Sequence, residues 1–548
     1  MTKDLTAFLP DDRKLIRIAP LLLLLIGLLV LLPGTFSLPL LDRDEPRFAQ
    51  ATVEMMDRGD WVIPWFNGEY RFDKPPMTYW LMRGGYALFG VNEFGARFHS
   101  VVCAISLALL LFYTGRRWFS AQTGFLAGLF SLTALQTLIH GRSGVADMPM
   151  ILAVALSCIA LYELLKERDS NYPWRWFWTL HLSLAFGFLA KGPIAWAVPL
   201  LALLLLRFAL WREPLPWKRI KLLKGLPVIL LPVAAWGIPA LLQTNGAFWN
   251  VGMGEHVVER GYSVFNSRKF IPGYYLLTAL FSLFPWIALL GLVWRIVRNS
   301  RTLLIRWLAA WLLAPYLIFS LYLTQLPHYV MPGFAAFFLL LAEALKQKTV
   351  MPKWGLRLKR FVAGLGMALA VIALIAAALV PLPAAVNSLR FSLAGLGAVV
   401  AGLTGMLYLN RFRRVLAPVL VAAGFLVIGS GLRPCIPGPQ LQALFASLPA
   451  GTVCAFSEYT EPHLVFYSHR QWIRCKDLQS FLDGAGPRLL VVQEKQFRPE
   501  DVIKRKPAKD ISAKLDALHT GDYRIVKFEG FNPARGAFMT LRIYYRMD

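Results

Sequence analysis

Between Arg17 and Asp42 the chain carries no charged residue, and apolar runs of similar length recur from there to about residue 431. A run of about 20 apolar residues is what a helix needs to cross a hydrocarbon core about 30 Å thick, where every backbone polar group must be satisfied inside the segment. Such a chain is expected to fold as a polytopic bundle of membrane helices. Thirteen runs fit, near 15–33, 97–114, 121–139, 148–165, 175–190, 194–210, 226–243, 272–294, 303–322, 330–345, 361–380, 391–409 and 415–431. Composition agrees, since 57% of the 548 residues are hydrophobic and only 16% are charged, a balance outside the soluble range. The first run resembles a cleaved leader in having Arg13, Lys14 and Arg17 before its leucines. It exceeds the ~7–15 residues of a leader's apolar region and "LPGTFSLPL" offers no small-x-small site, so the span is expected to be retained.

A formal charge of +26 would suit a nucleic-acid partner if it formed a patch. It does not. The cations sit in alternate short connections: Arg116 and Arg117; Lys166, Arg168 and Arg175; 212–224; 295–301; 346–360; and Arg411, Arg413 and Arg414. Short basic loops stay on the cytoplasmic side, so the excess reads as topology, with no nucleic-acid partner. By parity the N-terminus lies inside, and the 34–96 loop, the other odd loops and the tail after Gly431 face outward.

The outward fragments hold the unusual polar residues. They are "DRDEPRF" and "GEYRFDKPPMTYW" in the first loop, "HGRSGVADMPM", "AKGP", "FWNVGMGEHVVERGYS" and "TQLPHYVMP". On one membrane face, Asp44, Asp73, Lys74, Arg142, Asp147, Lys191, His256, Arg260, His328 and Tyr329 would converge on one cavity, and ionisable residues at that depth are functional candidates. The stretch from Asp44 reads as a helix with Asp44 as cap, Pro46 in its first turn and Gly59 at its end. Phe48, Ala51, Thr52 and Met55 then share a face, which predicts an amphipathic helix lying at the membrane boundary with Asp44 and Arg47 at the cavity mouth. In "FDKPP" two prolines stiffen the chain and direct Lys74 away from any helix. Simpler roles compete: Asp44 and Asp147 as helix caps, Lys191 as a snorkelling helix-end lysine, and His256 beside Glu255 as a hydrogen-bonded pair.

The tail from 432 to 548 changes pattern. "GTVCAFS", "HLVFYS", "RLLVVQE" and "YRIVKFEG" read as short strands between polar segments, giving a small outward α/β domain. An oxidising compartment would allow one disulfide among Cys435, Cys454 and Cys475, with the pair not readable from spacing. No glycine loop follows a strand, so no nucleotide cofactor is expected.

The segments "DRDEPRFAQATVEMMDRGDWVIPWFNGEYRFDKPPMTYWL", "ADMPM", "LAKGP", "EHVVERG" and "LPHYVMP" resemble the protein O-mannosyltransferase-like, polyprenyl-phosphate-sugar-dependent glycosyltransferases. The resemblance follows the span order from 15 to about 431 and is strongest from 41 to 97. It implies a GT-C membrane fold with an outward active site. It also implies transfer of a sugar, as in the family's lipid A-modifying members that move 4-amino-4-deoxy-L-arabinose from undecaprenyl phosphate to a lipid A phosphate and confer resistance to cationic peptides. Another sugar, moved to a glycolipid, polysaccharide or protein hydroxyl, is the alternative. Lys74 and Arg260 match the family's leaving-group cations, Asp44 its first-loop carboxylate and Asp147 its second acid. Arg47, Arg142, Lys191, His328 and Tyr329 are expected around the substrates. Asp73 replaces the family's Glu, so a divalent metal, zinc or magnesium, on Asp73 and His256 is in question. Gln325 and His328 stand where relatives read K-L-P-T-Y, which bears on substrate identity. A lipid-sugar transporter would instead place ionisable groups at mid-membrane, where His181 is the one candidate, and a receptor would need only the tail.

Overall fold

The computed structural model describes residues 12–41, 44–166, 172–252, 254, 270–408, 413–457, 459, 461–498, 509–533 and 535–548. Every apolar run becomes a helix or a helix pair. Among the described residues nine helices are long and apolar enough to cross a membrane, or ten if Tyr274–Ser282 and Trp286–Asn299, which meet at 109°, form one broken span. The chain is a multi-pass membrane protein. Three expected spans fall short of that test: 121–139 breaks into Ala121–Thr133 and Leu135–His140, Ile194–Leu210 is short, and Trp174–Lys191 is diluted by Arg175, His181 and Lys191. Outer helices leave large apolar side chains uncovered, such as Phe361, Ile372 and Ile375 on Lys353–Leu379, as a lipid-facing surface requires.

The first loop departs from its expected placement. Helix Asp44–Asp57 buries Phe48, Ala51, Thr52 and Met55, but also Gln50, Val53 and Glu54 from its other side. It is therefore sandwiched, not laid on a membrane surface. One side meets helix Met77–Phe89, and the tail contributes Phe445, Leu464 and Trp472 to the same core. Gly59, with φ +65°, ends the helix, a conformation glycine adopts without penalty. Next comes a hairpin, Trp65–Phe66 against Glu69–Tyr70, turned by Asn67-Gly68 with both φ positive, the two-residue turn whose twist suits a hairpin. The Glu54 carboxylate accepts from the N–H of Asn67 (2.7 Å) and Gly68 (3.0 Å), and the Asn67 side chain exchanges two 2.7 Å bonds with the Trp472 backbone. The hairpin thus fastens helix to tail.

In the tail, Val453–Ser457 lies between Trp472–Arg474 and Arg488–Phe497, parallel to both; Ala537–Arg546 and Arg524–Asn532 continue the sheet antiparallel. "HLVFYS" is a helix, His463–Ser468, not a strand. The reason is topological, since adjacent parallel strands need a crossover and this helix supplies it. All six of its residues are buried, so its pattern shows no periodicity to read. The three tail cysteines are free and buried in different places, Cys454 and Cys475 in separate apolar clusters and Cys435 against Val386 and Leu389. The permitted disulfide is not formed.

Candidate active site

A cavity of about 500 Å³ opens where helix Asp44–Asp57, the 71–74 segment, residues 139–147, Lys191 and the 326–329 turn meet. Asp44, Asp73, Lys74, Arg142, Asp147, Lys191, His328 and Tyr329 all line it. Arg47 does not: it lines a separate groove with Glu69 and Arg474 between the hairpin and the tail sheet. His256 and Arg260 lie outside the described residues.

Each side chain is placed by a local device. Asp44 opens its helix and is exposed. The orientation of that helix is fixed one residue on, where Glu45 receives both Nε (2.6 Å) and a terminal nitrogen (2.9 Å) of Arg97. Glu45 also accepts from the N–H of Leu41 and of Gly144, so three segments meet on one buried carboxylate. The remaining Arg97 donors reach the carbonyls of Thr35, Leu38 and Pro39.

Lys74 precedes Pro75 and Pro76, after which helix Met77–Phe89 begins, and its ammonium donates to the Asp73 carbonyl at 2.9 Å. Asp73 itself is paired with Arg71 at 2.8 Å. Arg71 is buried, and its Nε donates to the Tyr79 hydroxyl at 3.1 Å. Burial works against the Arg71 charge, but Tyr79, Asp73 and Asp44 outweigh it and raise its pKa, while burial pushes the Tyr79 phenol up to about 12. Around neutral pH the pair is therefore a guanidinium and a neutral phenol. Asp73 is thus held by a guanidinium, and its expected metal partner, His256, lies outside the described residues.

Asp147 opens helix Asp147–Lys166 and receives the Lys191 ammonium at 2.5 Å; Lys191 closes helix Trp174–Lys191 and lies 5.6 Å from the Tyr329 ring centre. His328 and His140 face each other with ring centres 4.8 Å apart. Arg142 was expected at the substrate, yet its guanidinium donates to the carbonyls of Val30, Pro33 and Leu138 and lies 3.5 Å from the Phe425 ring centre. It closes the end of helix Asp12–Leu31, and burial followed by Arg97 drives its pKa down without a carboxylate to offset them. Arg71, Glu45, Arg97 and His140 are cavity residues that sequence reasoning did not single out. Arg71, Glu45 and His140 lie within two residues of Asp73, Asp44 and Arg142 and so carried a local signal, whereas Arg97 carried none. His181 donates from Nδ1 to the Phe177 carbonyl at 2.8 Å and packs against Gly225, as a core histidine does.

The charged cavity lies at one end of a membrane-helix bundle beside the loop helix, and structural likeness gives the chain the fold of the GT-C class. Its structure superposes on the crystal structure of ArnT from Cupriavidus metallidurans bound to undecaprenyl phosphate with a TM-score of 0.74, 19% identity, and coverage of 96% of this chain and 97% of that one. A more distant likeness is to the archaeal oligosaccharyltransferase AglB from Archaeoglobus fulgidus, with TM-score 0.50, 12% identity, and coverage of 87% and 69%. Residues 73–238 match the family described as dolichyl-phosphate-mannose-protein mannosyltransferase. The chain is 34% identical over 336 residues to the undecaprenyl phosphate-alpha-4-amino-4-deoxy-L-arabinose arabinosyl transferase of Pseudomonas aeruginosa, covering 60% of this chain and 59% of the relative. The corresponding protein of Yersinia enterocolitica is 30% identical over 333 residues, covering 59% and 58%. The match thus spans about three fifths of these relatives' length. The resemblance drawn from the motifs recurs in these comparisons.

Proposed function

We propose that the chain is a glycosyltransferase that moves 4-amino-4-deoxy-L-arabinose from undecaprenyl phosphate to a phosphate of lipid A, working on the periplasmic face of the bacterial inner membrane. The observation that carries this reading is the convergence of five chain segments on one cavity, with Lys74, Lys191 and Tyr329 lining it. The donor is a phosphodiester, so when the bond from its anomeric carbon to phosphate oxygen breaks, the electron pair leaves on a polyprenyl phosphate that gains a negative charge. A fixed ammonium at that point stabilises the transition state more than the ground state. Lys74 takes this role. Lys191, held by Asp147, is the second cation, and Arg260 is assigned to the phosphate by resemblance alone. The acceptor phosphate supplies the attacking oxygen and, with a second pKa near ~6, needs no base at neutral pH. Asp44 then meets the sugar's amine. An added amino sugar brings positive charge to lipid A, which weakens its attraction for cationic peptides.

Mass spectrometry of lipid A from cells with and without the gene tests this directly. A mass increase of one aminopentose is expected, and an unchanged lipid A in cells that make the donor overturns it. Asp44→Asn tests the acceptor. With a phosphate acceptor, the acidic limb of the wild-type rate follows the acceptor's ionisation near pH ~6 and moves down with a more acidic phosphate analogue. A limb that stays fixed across acceptors and disappears in Asp44→Asn instead assigns a hydroxyl acceptor with Asp44 as general base. Orientation has its own measurement: a reporter fused after residue 431 should be external and one within 212–224 cytoplasmic, and both on one side would displace the cavity from the periplasm.

A further inference from the structure

One cluster in the cavity, built around the Asp147 that holds Lys191, has metal-ligand chemistry beyond that role. His140, Asp147 and His328 each offer one ligand atom, and these atoms lie within 4.8 Å of one another. They come from three segments: the end of Leu135–His140, the start of Asp147–Lys166 and the Pro327–Gly333 turn. We propose that this trio is a binding site for a divalent transition metal of the zinc class, separate from Asp73 and His256 and independent of the transferase reading.

The donor set is two imidazoles and one carboxylate, which suits Zn2+ and leaves a fourth position open to the cavity. The spacing is close to what an ion needs. His328 Nε2 lies 3.9 Å from Asp147 Oδ1, too far for a hydrogen bond. Two ligands about 2.1 Å from a tetrahedral ion stand about 3.4 Å apart, so this pair must close by about half an ångström and the widest pair of the trio by up to about 1.4 Å. His140 Nδ1 is 3.2 Å from the Gln136 carbonyl oxygen. That oxygen only accepts, so the tautomer protonated on Nδ1 turns an Nε2 lone pair toward a metal, the arrangement typical of ligating histidines. The Gln136 side-chain nitrogen, also 3.2 Å from Nδ1, favours the other tautomer, which metal binding would have to reverse. His140 and Asp147 are buried and His328 is half-buried, so an ion would be reached from the cavity.

The resident cation is Lys191, whose ammonium holds Asp147 Oδ1 at 2.5 Å. A divalent ion must share or displace it. This competition distinguishes the trio from adventitious binding at surface histidines, because removing the ammonium should strengthen binding here and nowhere else.

The experiment uses the purified full-length chain in detergent, titrated with Co2+ and followed by ligand-field absorption, with metal content measured after dialysis against Zn2+. One equivalent is expected. His328→Ala and His140→Ala should each lower affinity at least about tenfold, Lys191→Met should raise it, and Asp73→Asn should leave it unchanged. Gel-filtration elution and thermal unfolding establish that each variant is folded; if His140→Ala fails, His328→Ala, at the more accessible position, decides. A wild-type chain that takes up no metal overturns the proposal. So does binding that survives His328→Ala, or binding lost in Asp73→Asn.

Discussion

Replacing Lys74 by alanine is expected to reduce transfer about 10²–10³-fold, the loss seen when one preorganised donor to a developing anion is removed. The prolines at 75 and 76 stiffen the backbone that presents the ammonium, and helix Met77–Phe89 follows directly. Because the leaving phosphate gains its charge only as the bond breaks, the deficit should appear in kcat more than in KM. Lys74→Arg should rescue little, since a planar fork does not reproduce a compact ammonium. Lys191→Ala should cost less, because Asp147 already offsets part of the Lys191 charge at 2.5 Å. Single-turnover transfer from a prenyl-phosphate sugar by the purified chain measures all three. A Lys74→Ala rate within about threefold of wild type would remove this residue from the leaving-group role.

How far the sequence was legible depends on range. Membrane helices declare themselves because burial in lipid demands an unbroken apolar run, and each of the runs is helical. Lys74, Asp147 and Lys191 were legible for the opposite reason: a charge beside such a run has few neutral explanations. What escaped depends on partners far along the chain. Helix Asp44–Asp57 has an apolar face, but nothing within it says that Phe445 and Trp472 cover the other side. Glu45 and Arg97 are 52 positions apart, and neither motif nor period links them. That Arg142, which lines the cavity, also donates to three carbonyls was not legible, because such acceptors leave no mark in a sequence. Gln325 accepts from the Ile271 N–H at 2.9 Å instead of lining the cavity, whereas His328 lines it.

The second large effect is expected far from any reacting atom. Arg97 is 1% exposed and Glu45 3% exposed, and removing one partner of a buried ion pair leaves the other charge without compensation, at a cost of about 3–5 kcal/mol. Arg97→Ala should therefore lower the thermal unfolding midpoint in detergent and abolish transfer. The carbonyls of Thr35, Leu38 and Pro39 lose their donors together with Glu45. Glu45→Gln separates charge from shape. It keeps an acceptor for the Leu41 or Gly144 N–H, so it should unfold between wild type and Arg97→Ala. Its transfer rate should fall by more than its stability implies, because Asp44 is the next residue and loses the anchor that sets its approach to the cavity. Pairing Arg97→Met with Glu45→Leu removes both charges and should recover part of the stability, as apolar replacement of buried pairs often does. It should recover none of the activity. A double variant that is both stable and active would mean that the pair holds the fold but not the position of Asp44.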